Sequence, residues 1–358
     1  MKPKILLTTL YFTTFILLFS NSLFAKELDS NGIKTVALNA YSKCTGSLKN
    51  NLNILEEIII SEKEKKAFTI FNFKEGGFII VSNNDAAEPI LGYGFNSTLN
   101  LDSIPPALNY LLNEYKNEIL GIKENQTSSP EIKEKWEMYA VLDETFSTKS
   151  YTIGSYLLNT LWNQDAGYQE QCPKDPLTQI TSKVGCGGVA IGQILYYWGC
   201  RVFPDGSVSY LPDNFQNNIS MNFYGQTYNW NTMHVNSPDS ENKKLLYHSA
   251  VSIESDFGSS ETSHKVAAIP FAFWNYWGFN SGTTKYKNEN QSTWTSLLRN
   301  EIDNGRPIYY GGTDITVIPN KGHAWVVDGY QTSDNTFHCN WGWGGYENNW
   351  FTLTDLTP

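Results

Sequence analysis

The run Val-Gly-Cys-Gly-Gly-Val-Ala-Ile-Gly-Gln-Ile-Leu-Tyr-Tyr-Trp over 184–198 constrains this chain more than any other segment. It reads as a central helix, small-sided at its start and apolar further on, with Cys186 at its first turn. Far downstream, Gly-His-Ala-Trp-Val-Val-Asp-Gly-Tyr over 322–330 places His323 at the head of a strand-like run. A thiol attacks as the thiolate, and both a helix N-terminus and a neighbouring imidazolium favour that anion. A thiol at a helix start and a distant imidazole are therefore the two halves of a cysteine nucleophile. The competing readings are a structural cysteine in a small-residue packing face and a core histidine whose bonds are satisfied.

The rest of the chain divides around this pair. Residues 26–122 read as a small α/β unit. It has a helix over 31–49, a hairpin of 66–73 and 78–82 turning at Gly76-Gly77, a further strand at 89–94, and a helix from Pro105-Pro106 to about Gly121. Leu108, Leu111, Leu112 and Tyr115 fall on one face of that last helix. Residues 123–150 are polar and read as an exposed linker, partly helical near 133–139, of the kind that is cut by proteases. A second domain covers 151–358. Helix and loop come first in it, and strands follow at 306–311, 324–330, 336–339 and 350–353, so the class is α+β.

Composition excludes several functions. Charged residues are 17% of the chain, aromatic residues 14%, and the formal net charge is −10. That balance indicates a globular protein and speaks against a nucleic-acid surface or a basic membrane-binding face. Residues 1–25 read as a signal peptide, with Lys2 and Lys4 before an apolar stretch and small residues at Ser20, Ser22 and Ala25. The expected product is exported: secreted, cell-surface or periplasmic, with no stable membrane association, and monomeric. Five cysteines, Cys44, Cys172, Cys186, Cys200 and Cys339, leave at least one thiol over if disulfides form. No spacing suggests a metal site, and the chemistry needs no cofactor.

Two further roles need filling. A tetrahedral oxyanion requires preorganised donors. The backbone N–H of Cys186 is one, and the side-chain amide of Gln164 is the preferred second; Gln193 lies two turns along the helix and would point elsewhere. The imidazole needs an orienting partner, for which Asn340 and Trp341, in His-Cys-Asn-Trp-Gly-Trp-Gly-Gly over 338–345, are the candidates. Gly187 and Gly188, without side chains, would let a substrate backbone approach the sulfur. His338 reads as an ordinary strand residue. The order Cys then His, and the distance between them, match the spacing of roughly 130–150 residues found in papain-type proteases.

Taken together, Gly185-Cys186, Ala190, Gln193 to Trp198, Gly322-His323-Ala324, Asp328-Gly329-Tyr330 and Asn340-Trp341-Gly342-Trp343-Gly344-Gly345 resemble the streptopain family of secreted bacterial cysteine proteases. Tyr228 to Met233 is similar to that family's Trp-Asn/Asp-x-Met segment, and 77–82 with 89–93 resemble its propeptide. The resemblance covers about residues 35–358. It implies a papain-like fold, an intramolecular inhibitory pro-domain removed on activation, and endopeptidase activity on protein or peptide substrates. It also implies Cys186 as nucleophile, His323 as general base and acid, Gln164 and the Cys186 N–H as oxyanion donors, and Trp341 beside the histidine. Gly187, Gly258, Ser259 and Gly322 are the expected substrate contacts.

The chain departs from the family pattern in three places. Where the family usually has Gly-Cys-Val-Ala, this chain has Gly-Cys-Gly-Gly-Val-Ala over 185–190, so Gly187-Gly188 are two extra small residues after the cysteine, which would displace the sulfur on the helix. Glu261 brings a charge into a loop (258–263) that relatives often make of Gly, Ser and Ala. Cys172, Cys200 and Cys339 are unusual and are expected to supply a disulfide. Two other functions compete: another thiol hydrolase or acyl transferase on the same fold, and an inactive exported protein that binds through its aromatic surface.

Overall fold

A hairpin is built where the sequence alternates around Gly76-Gly77. Lys65–Phe73 (β2) and Phe78–Ser82 (β3) pair antiparallel with Phe71 opposite Ile79. In the computed structural model, which describes residues 28–45, 51–123, 125–140, 155–280, 284–287, 291–314 and 321–356, this hairpin is the middle of a larger sheet. The expected signal segment falls outside the described residues.

Ile54–Glu62 (β1) adds to one side of the hairpin, and Ile90–Gly94 (β4) to the other. The sheet then continues into the C-terminal half. Asn349–Thr352 (β10) pairs antiparallel with β4, placing Trp350 opposite Tyr93 and Phe351 opposite Gly92. Beyond it come Thr336–Asn340 (β9), Lys321–Tyr330 (β8) and Ile308–Asp314 (β7), giving the order β1-β2-β3-β4-β10-β9-β8-β7. One antiparallel sheet of eight strands thus joins the N-terminal unit to the C-terminal domain. Polar bonds cross the same seam. The Tyr93 hydroxyl donates to Asp334 Oδ2 at 3.0 Å, and Tyr115 donates to the carbonyl of Thr352 at 2.5 Å.

Successive strand residues face opposite sides, and each side has its own cover. One face carries Phe68, Ile80, Leu91, Phe351, Phe337, Trp325 and Val327. Pro106–Leu120 (α2) packs on it through Leu108, Leu111 and Tyr115, and Gln291–Asp303 (α7) through Trp294, Leu298 and Ile302. The other face is covered in two parts. Over the N-terminal strands lie Ser30–Thr45 (α1) and Pro130–Ala140 (α3), whose Ile33, Val36 and Tyr41 meet Ile132, Trp136 and Tyr139. Over β8 lies Cys186–Trp198 (α4), where Ala190 and Ile194 pack on Val326. Behind α4, the helices Ser240–Ser252 (α5) and Ala268–Asn275 (α6) enclose a second core around Trp162, Phe223 and Trp277. Val208 and Ile219, on the small hairpin of Ser207–Tyr210 (β5) and Ile219–Asn222 (β6), close it.

Two expectations need correction. Residues 130–140 are no exposed linker: they form α3, and Ile132, Trp136, Tyr139 and Ala140 are buried. The spacing of the first three puts them on one stripe of a helix whose charges face outward. The expected disulfide is also absent, since all five cysteines are free thiols. Cys172 and Cys339 are buried in two different cores, and Cys200 is exposed just after α4, which ends at Trp198.

Candidate active site

Cys186 is the first residue of α4, and Gly185 precedes it without a side-chain cap. The first N–H groups of the helix are therefore left free to act on a negative charge. The N–H groups of Gly187 and of Cys186 itself favour the thiolate, as does that of Ala324 on β8. They are outweighed: burial pushes the Cys186 thiol up, and the carboxylate of Glu261 adds to the rise. In this arrangement the sulfur holds its proton.

His323 is the residue before Ala324, so its backbone adjoins the nucleophile. Its ring does not face Cys186. Ala324 and Val326 point to α4, whereas His323, Trp325 and Val327 point to the opposite face, where α2 lies. There the ring of Tyr110 from α2 is 6.2 Å from that of His323, centroid to centroid. Gly312 pairs with His323 across β7 and β8, and a Cβ at Gly312 would come within 2.2 Å of Tyr110 Cε1. The glycine is what admits the tyrosine. The two halves of the expected pair thus lie on opposite faces of one strand, with the N-terminal unit holding the imidazole.

The other expected residues divide. Gln164 is brought to the nucleophile by backbone pairing, since its carbonyl accepts the N–H of Val184 at 2.9 Å, two residues before Cys186. Gln193 is buried and its Oε1 accepts from the Thr160 hydroxyl at 2.8 Å, which fixes it in the core. Gly258 and Ser259 lie beside the segment leading to Cys186. The Gly258 carbonyl accepts from Lys183 N at 3.0 Å, and Asp175 Oδ2 accepts from both the backbone N–H and the hydroxyl of Ser259, at 2.9 and 2.7 Å. These bonds hold the Asp175 carboxyl down at about 2. Gly322 is exposed next to His323. Gly187 is buried under the ring of His264, which fills the space that was expected to open for substrate.

Asn340 and Trp341 each have other hydrogen-bond partners. Asn340 donates from Nδ2 to the Thr160 carbonyl at 2.8 Å and accepts the Gly342 N–H at 3.1 Å. The Trp341 indole donates to the Glu347 carbonyl at 2.6 Å, and its ring packs on Trp325 and Phe351. Both residues shape the glycine-rich turn in this state. His338 is a strand residue, as expected, with a partner that the sequence did not reveal: its Nδ1 lies 2.6 Å from Asp328 Oδ1, and its ring stacks on Tyr156 at 4.1 Å. The same Asp328 accepts the N–H of Leu157 on its carbonyl and that of Leu158 on Oδ2, anchoring the start of the C-terminal domain.

The family model described as Peptidase C10 matches residues 162–351, which takes in Cys186, His323 and the glycine-rich turn. The chain belongs to the Peptidase C10 family. The model described as Spi protease inhibitor matches residues 26–119, so this C10 chain carries its inhibitor-like unit in the same polypeptide. It is 27% identical over 317 residues to the thiol protease/hemagglutinin PrtT of Porphyromonas gingivalis, covering 83% of the C10 chain and 35% of PrtT. The chain thus spans about a third of that relative. It is 23% identical to streptopain of Streptococcus pyogenes, covering 93% of the chain and 85% of streptopain. Among solved structures, a prointerpain A fragment from Prevotella intermedia superposes with a TM-score of 0.64 at 22% identity, over 85% of this chain and 94% of that one. Active interpain A from the same organism gives 0.51 at 25% identity, over 56% and 86%. The fold is that of a papain-like cysteine protease with its N-terminal domain in place.

Proposed function

We propose that this C10 chain is the latent precursor of an exported cysteine endopeptidase. The observation that carries the reading is the placement of Cys186 at the head of α4, with the Ala324 N–H on its sulfur and the adjoining His323 held against Tyr110. The inhibitor-like unit, residues 26–122, keeps acid and nucleophile apart. Activation is a cut between Ala140 and Tyr156. On one side of that interval α3 is packed into the N-terminal core, and on the other Tyr156 to Leu158 are tied to Gly329 and Asp328.

Once α2 leaves, the His323 ring crosses to the α4 side and takes the Cys186 proton. The thiolate attacks a peptide carbonyl, and the Cys186 N–H and the Gln164 amide hold the oxyanion. His323 then protonates the leaving amine and activates water to hydrolyse the thioester. In that state Asn340 and Trp341 line the histidine, and Gly258, Ser259 and Gly322 form the rim along which substrate lies.

The test follows maturation of the refolded chain under reducing conditions. The parent is expected to process itself and then cleave casein, while Cys186→Ala stays at full length. Iodoacetamide should label Cys186 slowly before the cut and at least tenfold faster after it. Processing of Cys186→Ala to the same new N-terminus at the same rate would remove the assignment. Turnover of short amides with casein left intact would favour a thiol hydrolase of another class.

A further inference from the structure

His264 follows the 258–263 loop and takes no part in the steps above. Its half-buried ring lies against Gly187, the residue after the nucleophile. A Cβ at Gly187 would come within 2.5 Å of His264 Cε1 and 2.7 Å of Nδ1. The imidazole therefore fills the volume that a side chain at 187 would claim, one residue along the helix from the thiol. A larger residue at 187 and a histidine at 264 exclude one another.

The ring is held from a second side. The Tyr309 hydroxyl lies 2.7 Å from His264 Nε2, and the two rings meet edge to face at 6.3 Å. Tyr309 stands on β7, next to the strand of His323, and burial, with Cys186 adding to it, pushes its phenol well above the ordinary value. His264 thus bridges the helix that carries the nucleophile and the sheet that carries the general base. The segment behind it is fixed as well. Asp256 and Ser263 exchange backbone bonds, and the Thr262 hydroxyl donates to the Lys183 carbonyl at 2.8 Å. With the backbone before it so fixed, rotation of the ring would still cost the bond to Tyr309. Burial draws its pKa down to about 4, so at neutral pH it presents an uncharged, polar wall.

We propose that His264, clamped between Gly187 and Tyr309, is the specificity-determining residue of this cleft, walling off the space beside Cys186 so that one substrate position flanking the scissile bond accepts only small side chains. The proposal rests on the peptidase reading of the site. Removing the ring would open a pocket of imidazole size, and differences of this kind in a pocket discriminate substrates by roughly 10–200-fold.

The test profiles the mature parent, His264→Ala and His264→Gln against peptides varied singly at each position around the cut. His264→Ala is expected to raise kcat/KM for Leu or Phe over Ala by tenfold or more at one position. His264→Gln keeps comparable bulk and a partner for Tyr309, and should retain the parental order. An unaltered profile for folded His264→Ala, or an equal loss on every peptide, would overturn the proposal, because a merely structural histidine gives one or the other. If His264→Ala fails to fold, His264→Ser is read in its place by the same criterion. Failure of the peptidase reading shows separately, as hydrolysis that persists in Cys186→Ala.

Discussion

Tyr110 stands over His323 at 6.2 Å between ring centroids because the residue opposite His323 in the sheet is Gly312. The tyrosine belongs to the N-terminal unit and the other two residues to the C-terminal domain, so on the reading proposed above latency rests on the fit of these three. Tyr110→Ala and Gly312→Val should both loosen it. Overpacking or truncation at such a contact costs about 1–3 kcal/mol. The uncut chain should then mature roughly 5–150-fold faster, measured as the initial rate of appearance of the shorter product.

Gln164 is expected to act on the oxyanion and nothing else. Gln164→Ala should lower kcat by about 100–1000-fold, with KM little altered, as for removal of one oxyanion donor elsewhere. Steady-state kinetics on a peptide substrate checks this. A drop confined to KM would place the amide in substrate binding instead.

Glu347 lies in the turn after Trp343, buried, with Oε1 near the Ser97 hydroxyl and Oε2 accepting from Asn349. Burial pushes its carboxyl up to about 7 from an ordinary 4.5. The folded precursor therefore binds this proton more tightly than the unfolded chain does. Its contribution is most favourable below pH 4.5, falls as pH rises toward 7, and is constant above. The full change amounts to about 3 kcal/mol. Thermal unfolding of Cys186→Ala precursor between pH 5 and 8 should show this decline, and adding Glu347→Gln should flatten it.

Lys135 of α3 reaches back to Glu88, with Nζ 2.5 Å from Oε1, and Glu131 flanks it at 3.1 Å. Burial holds the Glu88 carboxyl above its ordinary value despite the lysine. Lys135→Met would leave that carboxyl buried without its cation. A cost of about 2 kcal/mol is expected, below the ~3–5 kcal/mol of fully buried pairs because the lysine keeps some contact with water. Limited proteolysis should then remove α3 readily. The double variant with Glu88→Gln should recover most of the loss.

The nucleophile helix was legible from the long apolar run of 189–198 after Cys186, in spite of its glycines, and β8 because a β-branched, aromatic run follows His323. Three features were hidden for different reasons. β1 escaped notice because Ile58, Ile59 and Ile60 run together with glutamates at a sheet edge and show no alternation. α3 was legible in part, as a helix near 133–139, but its burial was hidden because Ile132, Trp136 and Tyr139 are outnumbered by charged residues on its exposed face. His264 gave no local signal whatever; its place follows from Gly187, which only the fold brings to it. Which way His323 faces could not be read either, because α2 decides it and α2 lies two hundred residues earlier in the chain.

The pairing of β10 with β4 also sets a cost for activation. While the precursor is whole, β10 is an interior strand. Departure of the N-terminal unit strips away its neighbour and turns Trp350 and Phe351 into a rim, with backbone N–H and C=O groups open to water or to another chain. Only four residues long, that rim is a poor template for aggregation, yet it remains the natural seat for a returning strand. On the proposed activation, β4 leaves with the N-terminal unit, and the strand best matched to the vacated edge of β10 is then on the released fragment.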